Sequence, residues 1–227
     1  MNHEFDQFAT SYRQEQTKYL SPTGENSYYF AQLKAKKLYE WSKKYLLRTP
    51  HRILDFGCGD GVMTCEVQKL FPATLLYGVD PSFESVDLAK KKSSFIHFYT
   101  SGKTVPYFES HMFDIVYCAG VFHHIPYEEH NDYINELYRI LKPGGIIILF
   151  ELNPLNPGTQ YIFHGHPMEV HAKMLYPWYT KKIVSKFQYK ATIFYSFFPH
   201  FLKFLRPYET WLSQLPLGGL YGTIAQK

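Results

Sequence analysis

The sequence predicts an α/β protein built around a doubly wound, mostly parallel β-sheet. Between residues 52 and 152, short apolar runs typical of strands alternate with segments that have the apolar periodicity of helices. Strand, helix and strand in regular succession favour parallel strands joined by right-handed crossovers. The chain has 227 residues, of which 45% are hydrophobic, so it is long enough to bury a full core as one domain.

Two helices are predicted ahead of the sheet. Apolar residues at i, i+3, i+4 and i+7 from Phe5 indicate a helix over residues 4–18, and a second helix follows Gly24. The predicted strands are 52–57, 74–80, 95–100, 113–119 and 145–152, and the helices between them lie near 61–71, 82–92 and 128–142. Beyond these we expect a helix near 177–187, a strand at 189–197, a helix at 199–213 and a last strand at 218–226.

The most informative segment is the glycine-rich turn after the first predicted strand, where residues 53–61 read ILDFGCGDG. Glycines in such a turn let ligand atoms approach bare backbone. The dinucleotide fingerprint G-x-G-x-x-G, counted from Gly57, requires a glycine where this chain has Val62. Asp55 would repel a pyrophosphate, whereas its carboxylate suits a ligand that carries an amine or another positive group. The turn therefore favours S-adenosylmethionine over NAD.

Three further segments follow in order. The second predicted strand ends in Asp80, whose carboxylate can accept hydrogen bonds from both ribose hydroxyls of a nucleoside. Residues 113–126 read FDIVYCAGVFHHIP, and residues 139–151 read RILKPGGIIILFE. Together with the glycine turn, these segments resemble the class I S-adenosylmethionine-dependent methyltransferases, particularly the small-molecule branch that includes quinone-biosynthesis C-methyltransferases.

The resemblance implies a Rossmann-like sheet of seven strands, one of them antiparallel, with an N-terminal helical extension. It implies S-adenosylmethionine as the cofactor, covered by the N-terminal helices. Tyr12, Tyr29 and Lys34 are then the candidates to reach the donor, with Lys34 as a partner for its carboxylate. The alternative is that Tyr12 and Tyr29 only pack against the sheet and that Lys34 is solvated. The cofactor-binding residues that the resemblance implies are Asp55, Gly57, Cys58, Gly59, Asp80, Pro81, Ser101, Gly102, Cys118, Ala119, Tyr12 and Lys34.

Two positions depart from the pattern of that family. The third strand usually ends in an acid that binds the adenine amino group, and this chain has Ser101, whose hydroxyl can still accept the bond. The Pro-Pro-aromatic motif of amino-methyltransferases is replaced by CAGV at 118–121. This difference argues against adenine in DNA and against glutamine amides. We therefore expect a small-molecule or lipid acceptor and no nucleic-acid partner.

His123 and His124 come just after the fourth predicted strand, at the carboxyl edge where ligands bind in such sheets. Methyl transfer to oxygen or to an acidic carbon requires removal of a proton, and imidazole suits that task near neutral pH. One of the two histidines is therefore the predicted catalytic base. The alternative is that His124 caps the loop ahead of Pro126 and has only a structural role.

Histidines recur after the fifth predicted strand, in the pattern H-x-H-x-x-E-x-H at residues 164–171. This spacing could bring ligands to one point, but the chain has no matching Cys or His pair elsewhere, so we predict no metal site. We expect this stretch to be a loop that lines the acceptor pocket. The side chains suited to that pocket are Tyr161, Phe163 and Met168.

The C-terminal part of the chain is basic and aromatic. Residues 151–227 hold eight Lys or Arg and three Asp or Glu, which indicates either a solvated face or attraction to an anionic membrane or acidic substrate. An apolar stripe with helical spacing runs through 199–213, and we expect it to pack in the core. A basic amphipathic helix rich in Phe and Trp can instead lie at a membrane surface. The stripe comprises Phe201, Phe204, Leu205, Tyr208, Trp211, Leu212 and Leu215.

These observations predict a single methyltransferase domain, residues 1–227, that methylates a small, apolar or aromatic acceptor on oxygen or carbon. Its regions are a helical lid (1–50), a donor-binding core (51–152) and an acceptor side with the closing strands (153–227). The alternatives are a non-catalytic S-adenosylmethionine-binding interaction protein, a lipid methyltransferase at a membrane surface and, weakened by Val62, a Rossmann dehydrogenase. With no signal peptide predicted and cysteines that lack metal-type spacing, we expect a cytoplasmic location. The acceptor and the oligomeric state stay open.

Overall fold

The computed structural model describes residues 12–101 and 108–227. Seven strands form one sheet in the order β3-β2-β1-β4-β5-β7-β6. The strands are β1 (Arg52–Phe56), β2 (Leu75–Asp80), β3 (His97–Thr100), β4 (Phe113–Ala119), β5 (Leu141–Leu152), β6 (Gln188–Tyr195) and β7 (Leu220–Gln226). β7 runs antiparallel to both of its neighbours, while the pairs from β3 to β5 are parallel. The predicted sheet with one antiparallel strand is confirmed.

Eight α-helices accompany the sheet within the described residues. They are α1 (Tyr12–Leu20), α2 (Ser27–Tyr45), α3 (Val62–Leu70), α4 (Phe83–Lys92), α5 (His130–Ile140), α6 (Pro157–Gly165), α7 (Pro177–Ile183) and α8 (Glu209–Leu212). Side-chain caps start three of them, because the side-chain oxygens of Asn26, Ser82 and Asn156 each accept a hydrogen bond from the backbone N–H three residues later. Such caps satisfy N–H groups that the first helical turn leaves without a partner.

The sheet is buried on both faces. Successive residues of a strand point to opposite faces, so Ile53 joins one core cluster and its neighbour Leu54 joins the other. Helices α2, α3 and α4 supply the first cluster with Leu38, Val67 and Val86, whereas α5 and α7 cover the second face. Because helices cover both faces of the sheet, the sequences of the central strands are continuous apolar runs rather than alternating apolar and polar residues.

The order of strands reverses between β1 and β4, and this reversal positions the site. β2 and β3 lie on one side of β1, while β4 and β5 lie on the other. The crossovers that leave β1 and β4 therefore diverge, which opens a crevice at the carboxyl edge of the sheet. The glycine turn after β1 and the histidine pair after β4 both lie at that edge.

Three segments differ from the sequence-based expectations. Part of the first predicted helix, residues 4–11, lies outside the described residues and is not compared. α5 ends at Ile140 and β5 begins at Leu141, four residues earlier than expected. Residues 157–165, expected as loop, form α6, which begins with a proline at its first position and the Asn156 cap. The third segment is the aromatic stripe of 199–213.

The prediction that the aromatic stripe packs in the core is wrong. His200–Tyr208 is a 3-10 helix with non-helical backbone at Leu202 and with Pro207 inside it, and the short α8 follows. Phe201, Phe204 and Trp211 are 73%, 68% and 81% exposed. A 3-10 helix has three residues per turn, so residues with α-helical spacing no longer share one face that could pack inward.

Among the described residues, no helix combines the length and the apolar character that crossing a bilayer requires.

Candidate functional site

The glycine turn after β1 has the backbone geometry that the sequence predicted. Gly57, Gly59 and Gly61 have φ angles of +80°, +50° and +75°, which glycine adopts far more readily than other residues. A Cβ at Gly57 would lie 2.3 Å from Cγ2 of Val121, so a side chain has no room there. A Cβ at Gly59 would have no atom within 4 Å. The backbone of Gly59 thus faces open space, as a ligand-binding turn requires.

Asp80, at the end of β2, is bonded to this turn. Its Oδ2 accepts a hydrogen bond of 2.8 Å from the N–H of Gly59, and its Oδ1 accepts one of 2.9 Å from the N–H of Ser82. The backbone N–H of Ser101, just after β3, donates to the carbonyl of Asp80 at 2.9 Å. The structure therefore brings the predicted ribose acceptor and the predicted adenine contact to one edge, beside the turn.

Asp55 is buried beneath the turn and accepts two hydrogen bonds on Oδ2. Thr64 Oγ1 donates at 2.6 Å and Tyr117 OH donates at 2.7 Å. Burial raises the pKa of Asp55 to about 7, although these two bonds favour the ionised form. The prediction that Asp55 faces the positive end of the donor stays a prediction, and it acquires a pH dependence from this pKa.

An ion pair between Arg13 and Asp60 joins the N-terminal helix α1 to the glycine turn. Arg13 on α1 donates from Nη2 to Oδ1 of Asp60 at 2.6 Å and from Nε to Oδ2 at 3.0 Å. Lys92 at the end of α4 lies 3.2 Å from the same carboxylate. Burial would raise the pKa of Asp60, but the two cations lower it below its usual value, so the carboxylate stays ionised. The sequence did not predict this ion pair, because Arg13 and Asp60 are 47 residues apart and leave no local pattern.

Lys34 lies on α2 and is half-buried. Burial lowers the pKa of its ammonium group to about 8, and the carboxylates of Glu151 and Asp55 oppose that shift. The ammonium is therefore close enough to both acids to feel their charge, and full solvation of Lys34 does not describe this position. Its role as partner of the donor's carboxylate stays a prediction.

The histidine pair lies between two acids. His123 is 5% exposed, and its Nδ1 lies 2.6 Å from Oε2 of Glu151, near the end of β5. On the other side, Nε2 of His123 lies 3.3 Å from Oε2 of Glu169. Burial would lower the pKa of His123, but the two carboxylates raise it to about 10. For His124, burial and the neighbouring His123 lower the pKa to about 4.

Sequence reasoning missed the role of Glu151. This acid is 2% exposed, pairs with His123 and accepts a hydrogen bond of 3.1 Å from the N–H of Phe122. A signal was available, since an acid within the apolar run of residues 146–152 is costly to bury without a partner. The prediction that one of the histidines is the base stays a prediction.

The other predicted site residues fall into three groups. Cys118 and Ala119 end β4 and pair with Leu149 and Phe150 of β5, and Cys58 lies buried in the glycine turn. Pro81 follows Asp80 and is exposed. Gly102 lies outside the described residues, and so does the side chain of Tyr12, the first residue of α1.

Comparison with known proteins identifies relatives of the segment that carries the glycine turn and the histidine pair. Residues 54–149, which run from β1 to β5, match the sequence pattern of the family described as methyltransferase domain. The chain is 30% identical over 115 residues to malonyl-[acyl-carrier protein] O-methyltransferase of Legionella pneumophila, covering 49% of this chain and 39% of that protein. It is 29% identical over 114 residues to demethylmenaquinone methyltransferase of Deinococcus radiodurans, covering 48% and 46%. The matches thus span less than half the length of either relative.

Solved structures extend the likeness to almost the whole fold. The plantazolicin methyltransferase BpumL, solved with a desmethyl substrate analogue and SAH, has a TM-score of 0.68 at 20% identity, covering 99% of this chain and 95% of that one. A SAM-dependent methyltransferase from Archaeoglobus fulgidus has a TM-score of 0.60 at 18% identity, covering 85% and 94%. At these identities the likeness establishes the fold.

Residues 54–149 thus match a methyltransferase domain in sequence, and the fold around them is that of S-adenosylmethionine-dependent methyltransferases. The cofactor that this match indicates is S-adenosylmethionine. The open space above Gly59 and the carboxylate of Asp80 beside it fit that cofactor.

A matched pair of glycine substitutions tests the turn. Gly59→Ala should weaken binding of S-adenosylhomocysteine at least tenfold while lowering the free energy of unfolding by about 1–2 kcal/mol, because the added methyl group enters open space at positive φ. Gly57→Ala should instead destabilise the fold more strongly, since its methyl group meets Val121. Calorimetry and thermal unfolding measure the two effects. Unchanged affinity in Gly59→Ala would contradict the placement of the cofactor.

The pKa of Asp55 predicts the pH dependence of cofactor binding. The ionised carboxylate attracts the donor's ammonium group, which stays protonated below its own pKa of roughly 7.7, so affinity should fall as pH drops below 7. Between pH 7 and pH 5.5 the dissociation constant of S-adenosylhomocysteine should rise about tenfold. In Asp55→Asn the amide side chain cannot ionise. This variant should bind S-adenosylhomocysteine more weakly, and its affinity should depend little on pH. An equally steep dependence in that variant would assign the titration to another group.

Proposed function

We propose that this protein transfers the methyl group of S-adenosylmethionine to a hydroxyl group of a small acceptor. The observation that carries this proposal is the polar group of His123, His124, Glu151 and Glu169, which lies at the same sheet edge as the donor turn. A buried cluster of imidazoles and carboxylates suits an acceptor that must lose a proton, and an oxygen acceptor has such a proton.

The parts of the site then have separate tasks. The glycine turn and Asp80 hold the nucleoside of the donor, Asp55 and Lys34 face its amine and carboxylate, and the histidine pair assists the loss of the acceptor's proton. The methyl group passes from the sulfonium sulfur to the acceptor in line, leaving S-adenosylhomocysteine. Because the sulfonium is already activated, placement at near-attack distance can supply much of the rate acceleration.

A groove between α1 and α6 offers an entrance for the acceptor. Tyr19 of α1 and residues of α6, among them Tyr161 and His164, line this groove. The ring of Tyr19 also lies 4.6 Å from that of His166, which leads into the 3-10 turn Pro167–Glu169. The groove therefore adjoins the segment that brings Glu169 to the histidines. Of the relatives, one is named for O-methylation of a malonyl-carrier protein and another for methylation of demethylmenaquinone, which supports an acceptor outside the nucleic acids.

A second candidate function is methylation of a lipid-soluble acceptor at a membrane surface. The aromatic segment 200–212 exposes several large apolar side chains. The cationic side chain of Lys203, within the same segment, is also exposed. The segment contacts the predicted N-terminal lid through Glu25. Oε1 of Glu25 lies 3.0 Å from Nδ1 of His200 and 2.8 Å from Nη2 of Arg206. Exposed aromatic rings beside cations are typical of surfaces that rest on anionic membranes.

The ion pair between Arg13 of α1 and Asp60 provides a test of the methyl-transfer proposal. Arg13→Met removes the bonds that hold α1 on the turn, so turnover of radiolabelled S-adenosylmethionine with a panel of phenolic and carboxylic acceptors should fall roughly tenfold, with weaker cofactor binding. Gln14→Met, an exposed change on the same helix, should behave as the parent. Tight binding of S-adenosylhomocysteine without turnover of any acceptor in the panel would favour a non-catalytic interaction protein.

Vesicle binding tests the membrane candidate. The parent protein should sediment with vesicles that contain phosphatidylglycerol, and Trp211→Glu combined with Phe201→Glu should reduce the bound fraction at least tenfold with the fold intact. Phe95→Glu is the matched control, because Phe95 is 84% exposed but precedes β3 at the opposite edge of the sheet. If the parent does not bind these vesicles, a soluble acceptor is the better assignment.

A further inference from the structure

His123, His124 and Glu169 form a compact group of donor atoms that the cofactor does not require. Oε2 of Glu169 lies 3.3 Å from Nε2 of His123 and 3.6 Å from Nε2 of His124. One ligand atom from each of the three residues lies within 4.8 Å of the other two. The histidines follow β4, whereas Glu169 comes from the 3-10 turn after α6, so two distant segments converge on one point.

The spacing of these atoms matches the edges of a metal coordination sphere. Zinc binds histidine nitrogen and carboxylate oxygen at about 2.0–2.2 Å in a tetrahedron, which places adjacent ligand atoms roughly 3.3 Å apart. The two distances to Glu169, 3.3 and 3.6 Å, are close to that value. A small rearrangement of the side chains would therefore suffice to admit the ion.

Two of the atoms are buried without a hydrogen bond. Nε2 of His123 and Oε2 of Glu169 both lack a hydrogen-bond partner, although they lie 3.3 Å apart. Buried polar atoms are normally bonded, since an unsatisfied one costs roughly 1–3 kcal/mol. His123 as a whole is only 5% exposed, and its free nitrogen points into the group. A positive ion at this point would satisfy both atoms at once.

Glu151 supplies the support that a metal-binding histidine normally has. Its Oε2 lies 2.6 Å from Nδ1 of His123, on the side of the ring away from the group. A carboxylate there holds the proton on Nδ1 and fixes the orientation of the ring. When the metal binds, Nε2 releases its proton to solvent and directs its lone pair at the ion. Glu151 is itself held by the N–H of Phe122 at 3.1 Å.

We propose that His123, His124 and Glu169 bind one divalent transition-metal ion, with Zn²⁺ as the best fit, on the acceptor side of the site. Two histidines and one carboxylate leave a fourth position open, as in catalytic zinc sites. Resting on the proposed function, the inference assigns that position to the acceptor oxygen. Coordination would lower the pKa of the acceptor hydroxyl, so that its proton leaves to solvent and the oxygen then takes the methyl group.

The proposed site contradicts the sequence-based prediction that the chain has no metal site. It also differs from the pattern H-x-H-x-x-E-x-H, because His164 is exposed and its Nδ1 lies 2.8 Å from the carbonyl of Gln160 in its own helix. The partners of Glu169 are instead His123 and His124, in the 3-10 turn Phe122–His124 that follows β4.

Metal binding can be measured without turnover. After dialysis against EDTA, the full-length protein should bind one equivalent of Zn²⁺ in calorimetry and retain it through desalting, as measured by elemental analysis. Co²⁺ in its place should show the visible absorption of a tetrahedral site. His124→Ala and Glu169→Gln should lose stoichiometric binding, and Glu151→Gln should bind roughly 10–100-fold more weakly because the ring of His123 loses its support.

Two controls separate this inference from the proposed function. His164→Ala removes a histidine from the same region but outside the group, so it should bind Zn²⁺ as the parent does. S-adenosylhomocysteine should bind equally well in all these variants, which shows that the donor site is intact. If the parent binds less than a tenth of an equivalent of Zn²⁺, or if Glu169→Gln binds as tightly as the parent, the metal site is wrong. Methyl transfer by the metal-free protein would then leave the proposed function standing.

Discussion

The turn between β1 and α3 is the constraint on which the rest of the site depends. Three glycines at positive φ reverse the chain within a few residues, and Val121 closes the space on one side while the other side stays open. Asp80 accepts a hydrogen bond from Gly59, so the end of β2 is held against the same turn. The turn thus leaves open space at Gly59 and holds the end of β2 beside it.

Charge pairing joins the remaining parts to this turn. Asp60 sits next to the glycines and pairs with Arg13 of α1 and Lys92 of α4, so one carboxylate connects the lid, the turn and the helix after β2. Removing a partner from a buried pair leaves an uncompensated charge and costs more than an exposed pair would. Helix α1 is therefore positioned by an ion pair at the glycine turn itself.

The histidine pair is surrounded by a second set of charged side chains. Glu151 and Glu169 flank His123 on its two nitrogens, and Lys34 approaches the same acids from α2. Acids and bases buried together perturb one another's pKa values, as the values for His123 and His124 illustrate. Groups of this kind are concentrated at functional sites, because they cost stability wherever they serve no chemistry.

The sequence by itself determined the sheet, the turn and the class of cofactor, because these depend on local patterns. Apolar runs between 52 and 152 located the central strands, and the glycine spacing with Asp55 and Asp80 indicated S-adenosylmethionine as the cofactor. Tertiary structure alone decided the partners of His123 and Asp60 and the exposure of Phe201 and its neighbours. These features depend on contacts between residues far apart in the chain and on the non-helical backbone at Leu202, neither of which helical periodicity can reveal.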